Sequence, residues 1–334
     1  MSKSRIRCEI DLDKPGLQKG YLRLFHSTHA SAYGFIPIPI MTAANGNGPT
    51  VLVTAAVHGD EYEGQIAVMK LFRHLDAKAV SGRIIALSAT NLPAALAGRR
   101  VSPLDDLNLN RCFPGSPDGR PTDQIAHYVE SELLPRADFA IDLHSGGSSL
   151  DYVPSTLAHK PADKAELERM VALMRAFATP YAYFVSQPMG EDRTLMGGAR
   201  RAKVPVLGTE LGGGGSLSVE RARIAAEGLV RALAHLGVLE TKLPPPKVKT
   251  KILEVAADDY YVFAPARGMF EPLADLGDHV EAGQPAGAIH SQEAPWEEPR
   301  TVNFTRGGVV LCKRHPSRTE RGDCLFHLGS PLNS

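Results

Sequence analysis

Cysteine is scarce: Cys8, Cys112, Cys312 and Cys324 are the only four in 334 residues, and no two form a CxxC pair. That pattern lacks structural-zinc spacing and favours free thiols in a reducing cytoplasm over a disulfide framework. Net charge is missing too, since 37 Lys+Arg balance 37 Asp+Glu. A balanced chain argues against nucleic-acid partners and against a membrane surface. No apolar run approaches the ~18 residues of a membrane span. Residues 1–9 hold no hydrophobic leader, which again points to the cytoplasm. What remains is ordinary globular material, 43% hydrophobic and 22% charged, which rules out wholesale disorder. At ~150 residues per domain the length suggests about two domains. A chain this long needs no covalent staples to bury a core.

Apolar and polar residues alternate in the first 40 positions, as in Tyr21-Leu22-Arg23-Leu24-Phe25 and Ile36-Pro37-Ile38-Pro39-Ile40. These read as strands. The turn signal at Asn45-Gly46-Asn47-Gly48-Pro49 leads into residues 50–57, a continuous apolar run suited to a strand buried on both faces. A helix is expected next, with Ile66, Met69, Leu71, Phe72 and Leu75 near a 3.6-residue period. Further strands are expected at 83–88, 139–143 and 204–209, and helices from Pro121 and over 219–239. Strands alternating with helices indicate an α/β fold with a mostly parallel mixed sheet. Pro244, Pro245 and Pro246 cannot continue a helix and mark an extended spacer. The expected division is therefore an α/β domain over 1–242 and a small all-β domain over 243–334. Residues 262–268 and 277–287 of the latter resemble the barrel-sandwich fold of lipoyl and biotinyl carrier domains. The modified lysine between the two halves is missing, so only the fold is taken from that likeness.

Three motifs follow predicted strands, where ligand sites of open α/β sheets collect. The first is His58-Gly59-Asp60-Glu61-Tyr62-Glu63-Gly64. Imidazole and carboxylate both bind Zn²⁺, and the intervening Gly lets the chain turn so that His58 and Glu61 face one point. Alone, HxxE is more often a polar loop in which Asp60 caps a helix. The second is Asp142-Leu143-His144-Ser145-Gly146-Gly147. Asp142 shares a strand face with His144 and is positioned to orient it. A lone strand-end His is more often just a satisfied histidine. Taken together, His58, Glu61 and His144 make a His₂Glu set, which leaves a fourth tetrahedral position open as in catalytic zinc sites. The third motif is Thr209-Glu210-Leu211-Gly212-Gly213-Gly214-Gly215. A carboxylate beside such a site can take and return a proton. The glycines also suit a flexible loop, and without a GK[ST] ending they make a poor phosphate cradle. A fourth stretch, 105–115, offers Asn110-Arg111 to a carboxylate, and Arg99-Arg100 upstream supplies a cation for a carbonyl.

In this order, HxxE, Asn-Arg, the Asp-Leu-His strand end and the later Glu resemble the zinc carboxypeptidase-like amidohydrolases, and more narrowly the succinylglutamate desuccinylase/aspartoacylase family. The resemblance covers essentially the whole chain. It implies zinc held by His58, Glu61 and His144, with Glu210 as general base and acid. Asn110 and Arg111 would hold the substrate's α-carboxylate. The carbonyl-polarising arginine would be Arg100, with Arg99 as the alternative. Val57 stands where close relatives carry Asn before the histidine, which alters the pocket wall rather than the ligands. The stretches at 10–13, 58–64, 110–115, 144–147 and 150–154 are most similar to the N-α-acetyl-L-2,4-diaminobutyrate deacetylase branch, which acts in ectoine breakdown.

The resemblance thus implies hydrolysis of an N-α-acyl, chiefly acetyl, amide of a small amino acid. The rivals are a succinylglutamate or acylaspartate hydrolase, a peptidase, and a silent zinc-binding protein; the presence of Glu210 speaks against the last. The expected partner is the small-molecule substrate. Nucleic acid and membrane are excluded, and a homo-oligomer is left open. Asp151 and Glu191 are candidate acids for a substrate ammonium, and equally solvated loop residues.

Overall fold

The computed structural model describes residues 4–186 and 191–332. The early alternation forms a long antiparallel hairpin, β1 (Gly16–Phe25) and β2 (Phe35–Asn45). The apolar run becomes β3 (Thr50–Ala55), followed by β4 (Gly82–Leu87), β5 (Phe139–Leu143), β6 (Leu150–Tyr152), β7 (Ser155–His159), β8 (Tyr181–Val185) and β9 (Val206–Glu210). Strands β4, β3, β5 and β9 lie side by side and parallel. Antiparallel β2 borders this block on one side and β7 on the other. Strand β8 then runs parallel to β7. The fold is mixed α/β, with a large mixed sheet and a separate four-stranded antiparallel sheet.

The six α-helices among the described residues cover both faces. α1 (Tyr62–His74), α4 (Lys164–Phe177) and α6 (Val219–His235) pack on the face that receives Val51, Val53, Ile141 and Leu207. α3 (Pro121–Tyr128) and α5 (Leu195–Arg201) lie on the other, with Leu52, Ala140 and Val206. The short α2 (Leu92–Ala97) sits beside the turn that follows β3. The run in β3 thus feeds both cores alternately, and each fully buried Val or Leu contributes roughly 1.5–3 kcal/mol. On α1 the buried stripe is Gly64, Ala67, Val68, Leu71 and Phe72, while Met69, expected on that stripe, faces solvent. Met69 lies five positions beyond Gly64, ~140° round the helix, and so falls off the stripe; α1 is close to β5 at Gly64, where a Cβ would stand 2.5 Å from that of Leu143.

The proline run lies in an irregular, largely exposed stretch. Beyond it, β10 (Lys251–Val255) adds to the large sheet, parallel to β8. The separate antiparallel sheet comprises β11 (Gly268–Pro272), β12 (Pro285–His290), β13 (Arg300–Asn303) and β15 (Arg318–Thr319). Two further strands, β14 (Gly308–Arg314) and β16 (Cys324–Pro331), pair antiparallel. β16 also pairs with β10, and β14 with β6. The large sheet is therefore continuous from the hairpin to the C-terminal strands, and the last segment is joined to the α/β body edge to edge.

Candidate metal centre

The site lies beyond the carboxyl ends of β3, β5 and β9. After β3 the backbone enters the left-handed region at Ala56 (φ 52°), a conformation that costs a non-glycine residue on the order of 1–3 kcal/mol. Two amides, of Thr90 and Asn91, donate to the carbonyls of Ala55 and Ala56, both at 2.9 Å, and hold this bend. Gly59 serves packing rather than turning: its φ is not positive, and a Cβ there would stand 2.0 Å from the Ala94 backbone. Glu61 then occupies the N-cap of α1, yet its side chain makes no capping bond. Asp60 does not cap either, and instead accepts from the Ser148 amide at 2.7 Å.

Both oxygens of Glu61 face histidines. Its Oε1 lies 2.7 Å from Nδ1 of His58, and its Oε2 lies 2.8 Å from Nδ1 of His144. The far nitrogens meet acceptors. His58 Nε2 is 3.0 Å from Oδ1 of Asn108, an oxygen that also accepts from the Asn110 amide. His144 Nε2 is 2.9 Å from Oδ2 of Asp142, whose Oδ1 accepts from the Thr54 hydroxyl at 2.8 Å. Both Nε2 atoms therefore carry the proton, which turns the Nδ1 lone pairs toward the carboxylate. Lone pairs do not approach carboxylate oxygens this closely unless a cation or a proton lies between them. The three side chains are buried, and their ligand atoms lie within 4.8 Å of one another.

The electrostatics agree. Burial opposes a charge on all three groups. At His144 the carboxylates of Asp142 and Glu61 outweigh burial and hold its pKa well above the usual value. At Glu61 the two imidazoles outweigh burial and hold the carboxyl well below its usual range. His58 lacks a carboxylate like Asp142 behind it, so burial prevails and its pKa is lowered. A proton on His144 takes the place a metal would fill. Two neutral-capable imidazoles and one carboxylate fit a divalent ion of the zinc type.

Arg100 and Arg99 diverge. Arg100 brings Nη1 to 3.4 Å from His58 Nδ1 and 3.6 Å from Glu61 Oε1. Arg99 turns away, with Nη2 at 3.5 Å from Asp106. Asn110 and Arg111 lie on one 3₁₀ turn, Leu109–Arg111, directly after Asn108. The Oδ1 of Asn110 accepts from the Leu195 amide, so its NH₂ is the half left to offer an anion. Glu210 ends β9, and its buried Oε2 has no hydrogen-bond partner. Burial, reinforced by the charge of Glu61, pushes its carboxyl up to about 8. Asp151 forms an ion pair with Arg221 at 2.7 Å, and the Glu191 side chain lies outside the described residues.

Sequence reasoning assigned no role to Asn108 or Thr209. The Thr209 hydroxyl accepts from the His144 amide at 3.0 Å and so fixes the backbone that carries this histidine. Asn108 caps the 3₁₀ turn, a preference typical of Asn and a signal that was available.

Comparison with known proteins places the chain in a family. Residues 47–236 match the family model of the succinylglutamate desuccinylase/aspartoacylase catalytic domain. The chain is 37% identical over 331 residues to an N-alpha-acetyl-L-2,4-diaminobutyric acid deacetylase of Halomonas elongata, covering 99% of this chain and 96% of that protein. It superimposes with a TM-score of 0.94 on the product-bound ectoine utilization protein EutE (DoeB) of Ruegeria pomeroyi, at 39% identity over 99% of this chain and all of that one. A succinylglutamate desuccinylase/aspartoacylase of Rhodobacter sphaeroides gives 0.93 at 40% identity, with 99% of this chain and 100% of that chain covered. The chain belongs to the succinylglutamate desuccinylase/aspartoacylase family, and its strand-end cluster lies within the matched catalytic region.

Proposed function

We propose that this protein is a zinc-dependent deacetylase that hydrolyses N-α-acetyl-L-2,4-diaminobutyrate to acetate and L-2,4-diaminobutyrate. The observation that carries the chemistry is the inward turn of both Nδ1 lone pairs onto Glu61, which calls for a cation at that point. The full-length likeness to a deacetylase of that substrate supports the substrate. His58, Glu61 and His144 would hold the ion, which supplies Lewis acidity toward a carbonyl and lowers the pKa of water.

The protein's own groups do the rest. Glu210 takes a proton from the attacking water and later delivers it to the leaving α-amine. A carboxyl raised toward neutrality suits both halves of that transfer. Arg100 faces the developing oxyanion, and removing one such donor typically costs ~3 kcal/mol in the barrier. Asn110 and Arg111 bind the α-carboxylate and so orient the amide. Asn108 and Asp142 hold the imidazoles by Nε2, which keeps Nδ1 available to the ion.

The division into a catalytic part over 1–242 and a C-terminal β part over 243–334, with barrel-sandwich character in the latter, belongs to the same reading. So do a cytoplasmic location and a small-molecule partner; no helix among the described residues is long and apolar enough to cross a membrane.

The test is acetate release by zinc-loaded protein from the α-acetyl compound. Its γ-acetyl isomer, N-acetylaspartate and succinylglutamate run beside it. Release from the α-acetyl compound alone is expected. Release only from an acidic substrate keeps the mechanism and overturns the substrate.

A further inference from the structure

The loop after Glu210 is fastened to the segment after His144. Leu211 donates to the His144 carbonyl at 3.0 Å, and Gly146 and Tyr152 both donate to Gly212, at 2.9 and 3.1 Å. In return Gly214 donates to Leu150 at 2.9 Å and Gly215 to Gly147 at 2.8 Å. One side chain crosses this seam. Arg221, in the first turn of α6, brings Nη2 to 2.7 Å from Asp151 and donates from Nη1 to the Gly213 carbonyl at 3.4 Å. Its own amide donates to Ser218, the N-cap of α6, at 3.1 Å.

The third face of the seam is α1. Glu63 is buried there, and neither of its oxygens has a hydrogen-bond partner. A Cβ at Gly212 would stand 2.5 Å from Glu63 Oε1 and 2.6 Å from Arg221 Cδ. Carboxylate and arginine therefore close on Gly212 from two sides, and only a residue without a side chain fits between them. Arg221 thus joins the loop after Glu210 to the segment after His144, while Glu63 of α1 closes on the same loop from the other side.

We propose that Arg221, paired with Asp151, is a positioning residue that sets the Glu210 carboxylate against the metal centre. This rests on the reading of Glu210 as the proton carrier. Arg221 holds Asp151 and the Gly213 carbonyl rather than the ligand cluster, so its loss should spare metal binding. A misplacement of ~1 Å can cost up to ~100-fold in rate.

The experiment compares Arg221→Met, Arg221→Gln and Arg221→Lys in the zinc-loaded full chain. It reads kcat, KM, zinc content, and amide exchange of Gly214 and Gly215. Arg221→Met should lower kcat by about tenfold or more. KM should stay within about twofold, zinc should be retained, and the two glycine amides should exchange faster. Arg221→Lys should recover part of kcat. If Arg221→Met fails to fold, Arg221→Gln carries the test with the same pattern. An unchanged kcat, or a loss of kcat that follows loss of zinc, overturns the proposal. Glu210→Gln run in parallel separates the two claims. Turnover in that variant would refute the role of Glu210, whereas unchanged glycine exchange in Arg221→Met would refute the clamp.

Discussion

Two buried histidines behave in opposite ways. His144, beyond β5, has Asp142 behind it and Glu61 in front, and its pKa rises well above normal. His327, on β16, has no hydrogen-bond partner on either nitrogen. It stacks on Tyr261 at 4.4 Å with Tyr152 and Tyr183 edge-on, and burial alone lowers its pKa to about 3. Burial is common to both. The carboxylates give one of them the surroundings of the proposed metal centre, and their absence leaves the other a neutral aromatic plate. A histidine's role here is set by what faces its two nitrogens.

The largest expected effect breaks this contrast directly. His144→Ala should abolish zinc binding and turnover, whereas His327→Phe should keep both within a few-fold, by metal analysis and acetate release. Next comes Glu210→Gln, which should lower kcat by ~10²–10⁴-fold while zinc stays bound. Exchanging the carboxylate behind the ligand sharpens the comparison further. Asp142→Asn should weaken zinc binding by ~10–100-fold, read in a competitive chelator titration.

The smallest effects lie in the pH dependence of stability of the metal-free protein. His327 titrates at about 3 when folded and near 6.5 when unfolded, so the unfolded chain binds more protons between those values. Its contribution is complete above pH ~6.5 and fades as pH falls. His327→Phe should therefore flatten the acid side of a Tm–pH curve. Glu210 titrates at about 8 when folded and near 4.5 when unfolded, so the folded chain binds more protons and stability falls as pH rises through that window. Glu210→Gln should flatten the alkaline side. Equal slopes for wild type and both variants would remove the electrostatic basis of the comparison.

Much of the site was legible because its residues are adjacent to strong local signals. The apolar runs of β3 and β5 announce buried strands, and His58 and His144 stand just past their ends. Glu61 follows at a fixed spacing, and the glycines mark Glu210. The supporting residues were harder to read. Asn108 sits in a loop where Asn is ordinary, and its bond to His58 spans 50 positions. The pairing of Arg221 with Asp151 depends on where α6 packs, which no local pattern encodes. For the same reason the proline run suggested a break, while β10 pairs across the sheet with β8, some 70 residues earlier in the chain. Met69 is apolar and still faces solvent, because it lies ~140° round α1 from Gly64 and so off the stripe that meets the sheet.

The most direct test of the central claim is zinc stoichiometry by elemental analysis after dialysis, in wild type, His58→Ala, His144→Ala and His327→Phe. One zinc per chain in wild type and His327→Phe, and none in the other two, is the predicted result. Zinc retained without His144, or zinc lost with His327, would contradict it.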